Sequence, residues 1–229
     1  MTPSPPGCRG VARAGQHAKP ARPGRRWPGL CGLGLLCATL PQGEAADAPA
    51  LRKVRDLVIY QDSRFYAAFP SVVRRPDGEL LVAFRRAPER RVFGESHTSH
   101  TDPSSQLVLV RSGDGGQSWS ERPELIFAHP FGGCQDPCLV QLQDGSLLCS
   151  SYGWALLEAA RAARMTNSLR HGPFVFLGGW LLRSGDGGRT WSELPPPPHV
   201  PADATCDALG RPTAAFNRGA MCEGRDGKL

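Results

Sequence analysis

The sequence contains no apolar segment long enough to cross a membrane. The longest candidate, LCGLGLLCATL at residues 30–40, is about half the length of a transmembrane helix and is diluted by glycine. It follows a basic stretch and precedes small residues, which resembles a secretory signal. The sequence therefore favours the secretory pathway, with a lysosomal or extracellular destination. The arginine-rich leader also fits mitochondrial import, and a cytoplasmic location is the third alternative.

Acidic residues are absent from residues 1–43, where all six charged side chains are Arg or Lys. The rest of the chain is balanced, with 21 basic and 21 acidic residues. A nucleic-acid-binding protein carries its basic surface on the folded domain, so nucleic acid is excluded as a partner. Residues 1–28 are also rich in Pro, Gly and Ala without an apolar period, and we expect residues 1–50 to form a disordered or targeting leader.

A recognisable metal-binding pattern is also missing. Cys134 and Cys138 have no second Cys or His pair at zinc-ligand spacing, and His97 and His100 lack the Glu and the helical period of a zinc-protease motif. We therefore expect no metal and no other cofactor. The thiols are interpreted as buried or unreactive, because five cysteines outside the leader do not define a disulfide framework.

The sequence does contain many turn residues, 27 Gly and 22 Pro, which favour short strands over long helices. RSGDGGQSWSE at residues 111–121 recurs as RSGDGGRTWSE at residues 183–193, with nine of eleven positions identical. Upstream of each copy, apolar residues flank an Asp-Gly pair at residues 77–78 and 144–145. The two features repeat together, at a period of roughly 70 residues.

Apolar runs beside these turns predict about four short strands in each repeat. The predicted strands are 71–75, 79–85, 106–111 and 124–128, and then 138–142, 146–151, 174–183 and one near 199–201. Repeated four-stranded units are typical of β-propeller blades. The predicted fold is therefore all-β, an incomplete propeller over residues 51–229. Blade one is placed at about 69–128, blade two at about 136–201 and the start of a third at about 213–229.

Two further segments carry structural expectations. KVRDLVIY at residues 53–60 is expected to form an outer strand that closes a ring. WALLEAARAARM at residues 154–165 is rich in Leu, Ala, Glu and Arg and is expected to form a short helix between strands.

The chemistry of the repeated turn explains its composition. Glycine supplies positive φ, while Asp114 and Asp186 can accept backbone N–H bonds across the turn. The hydroxyls of Ser and Thr can add further bonds, and the tryptophans can wedge each turn against its own sheet. The structural residues proposed on this basis are Ser112, Asp114, Gly116 and Trp119 in the first copy and Ser184, Asp186, Gly188 and Trp191 in the second.

The pattern S-x-D-x-G-x-[ST]-W is the Asp-box, present as SGDGGQSW and SGDGGRTW. With its strand repeat the chain resembles the sialidase superfamily of Asp-box propellers, usually six-bladed, over about residues 53–229. In that family the Asp-box lies away from the active site, so the resemblance implies a structural role for these residues. It does not by itself imply an activity.

The resemblance also implies site residues. Family members clamp a substrate carboxylate with three arginines and use an Asp as acid/base and a Tyr–Glu pair as nucleophile. The first clamp position is Ala68 here, a departure that implies altered substrate choice or lost activity. Arg85 or Arg86 is then expected to bind substrate, Asp102 to be the candidate acid/base and Asp136 to contact a sugar hydroxyl. A solvated loop for Asp102 and a strand cap for Asp136 are the alternatives.

The expected function is that of a sialidase-like glycoside hydrolase fragment without turnover of its own. In the family the nucleophile and the remaining arginines belong to later blades. The implied partners are sialylated or other acidic glycans. The alternative is a non-catalytic carbohydrate-binding or protein-binding propeller module, and bare blade faces leave open a chain that does not fold stably alone.

Overall fold

The computed structural model describes residues 52–95, 101–162, 164, 170–171, 173–195 and 219–229. The fold lies in the unit from Val58 to Leu229. Its described part is almost entirely β, with two antiparallel sheets and one short α-helix. The prediction of an all-β fold is therefore confirmed.

The first sheet is a four-stranded antiparallel meander. Its strands, in spatial and chain order, are β1 (Phe65–Arg74), β2 (Leu80–Pro88), β3 (Gln106–Ser112) and β4 (Glu124–Phe127). All four predicted strands are present. β1 begins earlier than predicted because a bulge between Ala68 and Ser71 lets the strand continue past Pro70. The second half of β1 and the first half of β2 carry the apolar residues on which the prediction was based.

The second sheet has six strands rather than the predicted four. They are β5 (Gly133–Cys134), β6 (Cys138–Gln141), β7 (Leu147–Leu156), β8 (Arg170–His171), β9 (Phe174–Ser184) and β10 (Ser192–Glu193). β6, β7, β9 and β10 form a meander like that of the first sheet, while β5 and β8 pair with β7 and β9. The strand predicted near residues 199–201 lies outside the described residues.

The helix predicted at residues 154–165 is mostly wrong. Trp154 and Ala155 continue β7 and pair with Phe176 and Val175 of β9. The helix α1 spans only Ala159–Ala162. Strand pairing therefore outweighs the local helix propensity in this segment.

The strand predicted at residues 53–60 is also wrong, because residues 52–62 belong to no helix or strand. Ile59 and Tyr60 instead cover the face of the first sheet that points away from the second. The Tyr60 and Phe84 rings lie 4.9 Å apart between centroids. Both side chains are partly buried against this sheet face, which accounts for their apolar character without strand pairing.

The two sheets share one apolar core. Strand side chains alternate between faces, so Leu81 and Leu109 of the first sheet point toward the second. Leu147, Trp180 and Leu182 of the second sheet pack against them.

A polar contact also joins the sheets. The backbone N–H of Leu139 in β6 donates to the hydroxyl of Ser71 in β1 at 2.9 Å. The repeat units therefore lie face to face and are bonded at their adjoining strands.

The two copies of the repeated turn, here called the tryptophan turns (residues 112–119 and 184–191), make the same hydrogen bonds. The Asp114 carboxylate accepts from the backbone N–H and the hydroxyl of Ser118, at 3.0 and 2.5 Å. Asp186 accepts from Thr190 in the same way, at 2.9 and 2.5 Å. Each tryptophan donates from Nε1 to the carbonyl of the third glycine of its turn, Gly116 at 3.3 Å in the first copy and Gly188 at 3.1 Å in the second.

A second kind of turn, here called the Asp-Gly turn, occurs three times. Residues 75–79, 142–146 and 224–228 each close with an N–H···O bond from the first residue to the fifth, at 2.8, 2.8 and 2.7 Å. The glycine φ values are 91°, 83° and 74°. The third turn contacts the second, since the Gln143 N–H donates to a Glu223 carboxylate oxygen at 2.7 Å. Of the predicted start of a third blade at about residues 213–229, the structure describes residues 219–229, which contain this turn and no strand.

Candidate functional site

Arg85 lies at the end of the first sheet opposite to the turns. It is 0 % exposed and belongs to the face of β2 that points toward the second sheet. Its direct cross-strand partner in β1 is Ala68. Arg86 belongs to the opposite face, where its guanidinium lies 4.2 Å from the centre of the Phe65 ring. Of the two predicted substrate-binding arginines, Arg85 is therefore the one that faces the second sheet.

Asp102 lies in the connection between β2 and β3 and is 4 % exposed. Arg90 donates to both of its carboxylate oxygens, from Nε at 2.8 Å and from Nη2 at 3.2 Å. The Ser104 N–H donates to the same carboxylate at 2.8 Å. Asp102 is thus held in one orientation by a two-pronged ion pair and a backbone donor.

The Asp102 loop is bonded to the second sheet. The Ser105 hydroxyl lies 2.9 Å from the Asp102 carbonyl oxygen and 2.6 Å from that of Cys134 in β5. The Cys134 N–H donates back to the Ser105 carbonyl at 3.0 Å. Gly133 permits this close approach, because a Cβ there would lie 2.0 Å from the Asp102 carbonyl oxygen. The two-residue strand β5 therefore fixes the Asp102 loop against the second sheet.

Asp136 follows β5 and lies beside β7. The Tyr152 hydroxyl donates to its Oδ2 at 3.3 Å. The preceding residue, Gln135, is fully buried, and its backbone N–H donates to the Tyr152 carbonyl at 2.8 Å. Neither side-chain amide atom of Gln135 has a hydrogen-bond partner among the described residues. Asp136, Tyr152 and Gln135 thus place one carboxylate, one phenol and one buried amide in the same part of the second repeat.

These groups meet around one cation. Burial lowers the pKa of Arg85, while Tyr66, Asp102, Asp136 and Tyr152 act in the opposite direction through their charge. The hydrogen bonds link the same groups, because the Asp102 loop is bonded to Cys134, two residues before Asp136, and Tyr152 is bonded to Asp136. Arg85, which faces the second sheet, is grouped with Asp102, Asp136 and Tyr152 as a candidate polar site, here called the Arg85 cluster.

Two aromatic side chains at the site were not predicted from the sequence. The Arg85 guanidinium lies 5.7 Å from the Tyr66 ring centre and 6.0 Å from that of Phe69. Phe69 has a positive φ of 57°, unlike the other described non-glycine residues, and it lies in the bulge of β1. The one signal in the sequence was the Phe-Pro pair that follows Ala68, the position where the family has an arginine. Only the strand register shows that Phe69 lies near the Arg85 guanidinium.

The predicted acid/base role of Asp102 stays a prediction. Asp102 belongs to the Arg85 cluster, and its carboxylate oxygens already accept three hydrogen bonds. His97 and His100 lie outside the described residues. Within the described ranges, no three His, Cys, Asp or Glu side chains are grouped to hold a metal ion.

The described cysteines are free thiols. Burial raises the pKa of the Cys134 thiol to about 12 and raises that of Cys149 further. Both thiols are therefore protonated and unreactive at neutral pH, as the sequence predicted. Cys222 is exposed. No helix in the described part of the chain has the length and apolar character to span a bilayer.

Comparison with solved structures gives one strong similarity. A protein of unknown function from Dyadobacter fermentans DSM 18053 is 51 % identical, with a TM-score of 0.72 over 79 % of this chain and 50 % of that one. The chain thus spans about half the length of that relative. No protein-family profile matches the sequence, and no curated protein matches it.

Two distant similarities concern a glycoside hydrolase and a polysaccharide lyase. Zg3597, a family 117 glycoside hydrolase from Zobellia galactanivorans, is 12 % identical, with a TM-score of 0.43 over 64 % of this chain and 44 % of that one. An ulvan lyase of polysaccharide lyase family PL25 is 13 % identical, with a TM-score of 0.42 over 71 % and 35 %. At these scores they carry no argument about the site.

Proposed function

We propose that the two sheets are the first two blades of a sialidase-like β-propeller and that the Arg85 cluster is part of a glycan-binding site. The observation that carries the proposal is that the Arg85 cluster combines charged and polar side chains of both proposed blades at the end of the sheets opposite to the turns. The tryptophan turns and the third Asp-Gly turn support the propeller, because they repeat the same bonds in successive units.

The cluster contains the functional groups that a sugar requires. Carboxylates such as Asp136 accept hydrogen bonds from hydroxyls, and the Tyr152 phenol both donates and accepts. Asp102 and Arg90 hold each other in a fixed orientation, because Arg90 donates hydrogen bonds to both oxygens of the Asp102 carboxylate. Binding sites of this kind combine a few oriented polar groups with apolar and aromatic walls.

The chain alone is proposed to bind glycan without hydrolysing it. A retaining glycosidase needs a nucleophile as well as an acid/base. Asp102, the candidate acid, is engaged by Arg90 and by the Ser104 N–H. The described residues place no Tyr–Glu pair beside it, since Tyr152 donates to Asp136 instead. The hydrolytic role of Asp102 therefore belongs to the proposal for a longer protein.

A glycan array with neutral and acidic terminal sugars tests this proposal. We expect the 229-residue chain to bind a subset of glycans and Asp136→Asn to lose that binding. Asp77→Asn is the matched control, because Asp77 lies in an exposed turn at the other end of the sheet. An array without signal, or equal binding by Asp136→Asn, would contradict the proposal.

A hydrolysis assay with a fluorogenic sialoside completes the test. We expect no release of the fluorophore by the purified chain. Release that disappears in Asp102→Asn would show that the chain has catalytic activity of its own, and the non-hydrolytic part of the proposal would then be wrong.

A further inference from the structure

We propose that the site at Arg85 takes the apolar face of an uncharged pyranose ring, which stacks on Tyr66 and Phe69, rather than a sugar carboxylate. This inference rests on the proposed glycan binding and names the class of sugar. It follows from three properties of the described residues: the charge balance around Arg85, the exposed aromatic pair beside it and the backbone of Phe69.

The charges at the site are already balanced. Arg90 is paired with Asp102 at 2.8 Å and also lies 3.2 Å from a Glu95 carboxylate oxygen. Arg85 is influenced by both Asp102 and Asp136. A bound carboxylate would have to compete with these two side chains for the guanidinium groups. Like charges near one another in a buried site are costly, so the arrangement disfavours an anionic ligand.

The position that would add a further cation holds a methyl group. Ala68 stands directly across the ladder from Arg85, and residues opposite one another share a face of the sheet. An arginine at position 68 would give the site a surplus of positive charge for a carboxylate ligand. With alanine there, the Arg85 cluster and Arg90 together hold two guanidinium groups against the carboxylates of Asp102 and Asp136, and Glu95 adds a further carboxylate beside Arg90.

The aromatic pair supplies the surface that an uncharged sugar needs. Tyr66 and Phe69 are each 36 % exposed, while Arg85 beneath them is 0 % exposed. Both rings lie within cation–π distance of the guanidinium, at 5.7 and 6.0 Å. The buried cation therefore fixes the rings from one side and leaves part of each open to a ligand. Arg85 is on this account a positioning residue for the rings.

The backbone of Phe69 indicates that the ring position has a use. A φ of 57° is the left-handed region, which costs energy for a large side chain and is commonly occupied by glycine. Backbone strain of this kind persists where the surrounding structure holds it, frequently at ligand sites. The bulge between Ala68 and Ser71 is the element that turns the Phe69 ring toward Arg85.

The hydrogen-bonding groups nearby also suit hydroxyls. Asp136 and Tyr152 offer an acceptor and a phenol, and the Gln135 amide has unused hydrogen-bonding capacity among the described residues. A pyranose has an apolar C–H face and a rim of hydroxyls that donate and accept. It matches a site that combines aromatic rings with neutral and acceptor groups.

The test compares Phe69→Gly with the unaltered chain. Glycine adopts a φ of 57° without strain, so we expect the melting temperature to stay within about 3 °C of the parent value or to rise. Loss of the ring should weaken binding of the best neutral glycan from the array by roughly threefold to tenfold, measured by calorimetry. Phe131→Ala is the control, because Phe131 is 79 % exposed in the connection between the sheets and should leave affinity unchanged.

A second comparison uses pairs of glycans that share a chain and differ only in a terminal neutral hexose or a terminal sialic acid. We expect the unaltered chain to bind the neutral member more tightly, and Ala68→Arg to shift the preference toward the acidic member. Tighter binding of the acidic member by the unaltered chain, or equal affinity of Phe69→Gly and parent, would overturn the inference and leave glycan binding in place. An array without any signal would overturn both proposals.

Discussion

The paired sheets have one end at which the same turns occur in both sheets and another end at which the contacts differ between the sheets. At one end lie the tryptophan turns and the Asp-Gly turns, whose corresponding hydrogen bonds agree within about 0.2 Å between copies. At the other end, the described residues of the other repeat include none that make the contacts of Arg85, Asp102 or Asp136. The repeated end therefore holds the scaffold, and the unrepeated end holds the proposed site.

The two sheets are also joined at the unrepeated end. Gly133 and the Asp102 loop are in backbone contact, and the second sheet has an added strand, β5, at this place. A loop of the first sheet is thus held in a fixed position against the second sheet. Rigid support of this kind is what a binding site requires.

The largest effect is expected for Gly133→Ala, a change at the unrepeated end. The new Cβ would lie 2.0 Å from the Asp102 carbonyl oxygen and 2.6 Å from the Ser105 hydroxyl, so backbone must move. We expect a loss of about 3 kcal/mol or more in the free energy of unfolding, measured by denaturant titration. Gly113→Ala is the control, because its Cβ would meet open space. A loss of less than about 1 kcal/mol would contradict the close contact.

A smaller effect is expected for Gly145→Ala at the repeated end. No atom lies within 4 Å of the added Cβ, and only the φ of 83° opposes the substitution. We expect a loss of about 1 kcal/mol in the free energy of unfolding. Gly78→Ala, in the equivalent turn with a φ of 91°, should lose a similar amount. Markedly unequal losses at the two positions would show that the turns are not equivalent.

The smallest effect is expected for the change in stability as the pH falls. Hydrogen bonds from the Ser118 hydroxyl and from neighbouring N–H groups hold the pKa of Asp114 well below its usual range, and Thr190 and its neighbours do the same for Asp186. Because the folded pKa is lower than the unfolded one, this stabilisation is present above about pH 3.9 and fades as the pH falls toward the folded value.

The measurement is the thermal midpoint between pH 6 and pH 2, for the parent and for the variant with Asp114→Asn and Asp186→Asn. We expect the midpoint of the parent to fall more steeply below about pH 4. The difference should be a few degrees because both carboxylates are exposed to solvent. Parallel pH profiles would show that the two carboxylates do not stabilise the turns.

The repeated end could be predicted from sequence because its chemistry is local. Asp114 lies two to four residues from the groups that it binds, and glycine occupies the positive-φ positions of these turns. Each bond was therefore implied by residues that are close together in the chain. The same argument failed at residues 154–165, where a helix propensity gave way to pairing of Trp154 with a strand far along the chain.

The site could be predicted only in part, because it depends on strand register. Sequence reasoning placed Asp102, Asp136 and the Arg85–Arg86 pair in a site but could not choose between the arginines. Only the alternation of β2, with Leu81 and Ala83 in the shared core, shows that Arg85 faces the second sheet. The bulge that brings Phe69 to Arg85 has no local sequence signature beyond its proline.

The central claim is that Arg85 and Asp136, one from each sheet, belong to a single site. A double-mutant cycle with Arg85→Met and Asp136→Asn tests it through the free energy of unfolding. We predict a coupling energy of about 1–3 kcal/mol, with the double variant less destabilised than the sum of the single variants. A coupling energy of zero within error would contradict the account, because the two side chains would then act independently.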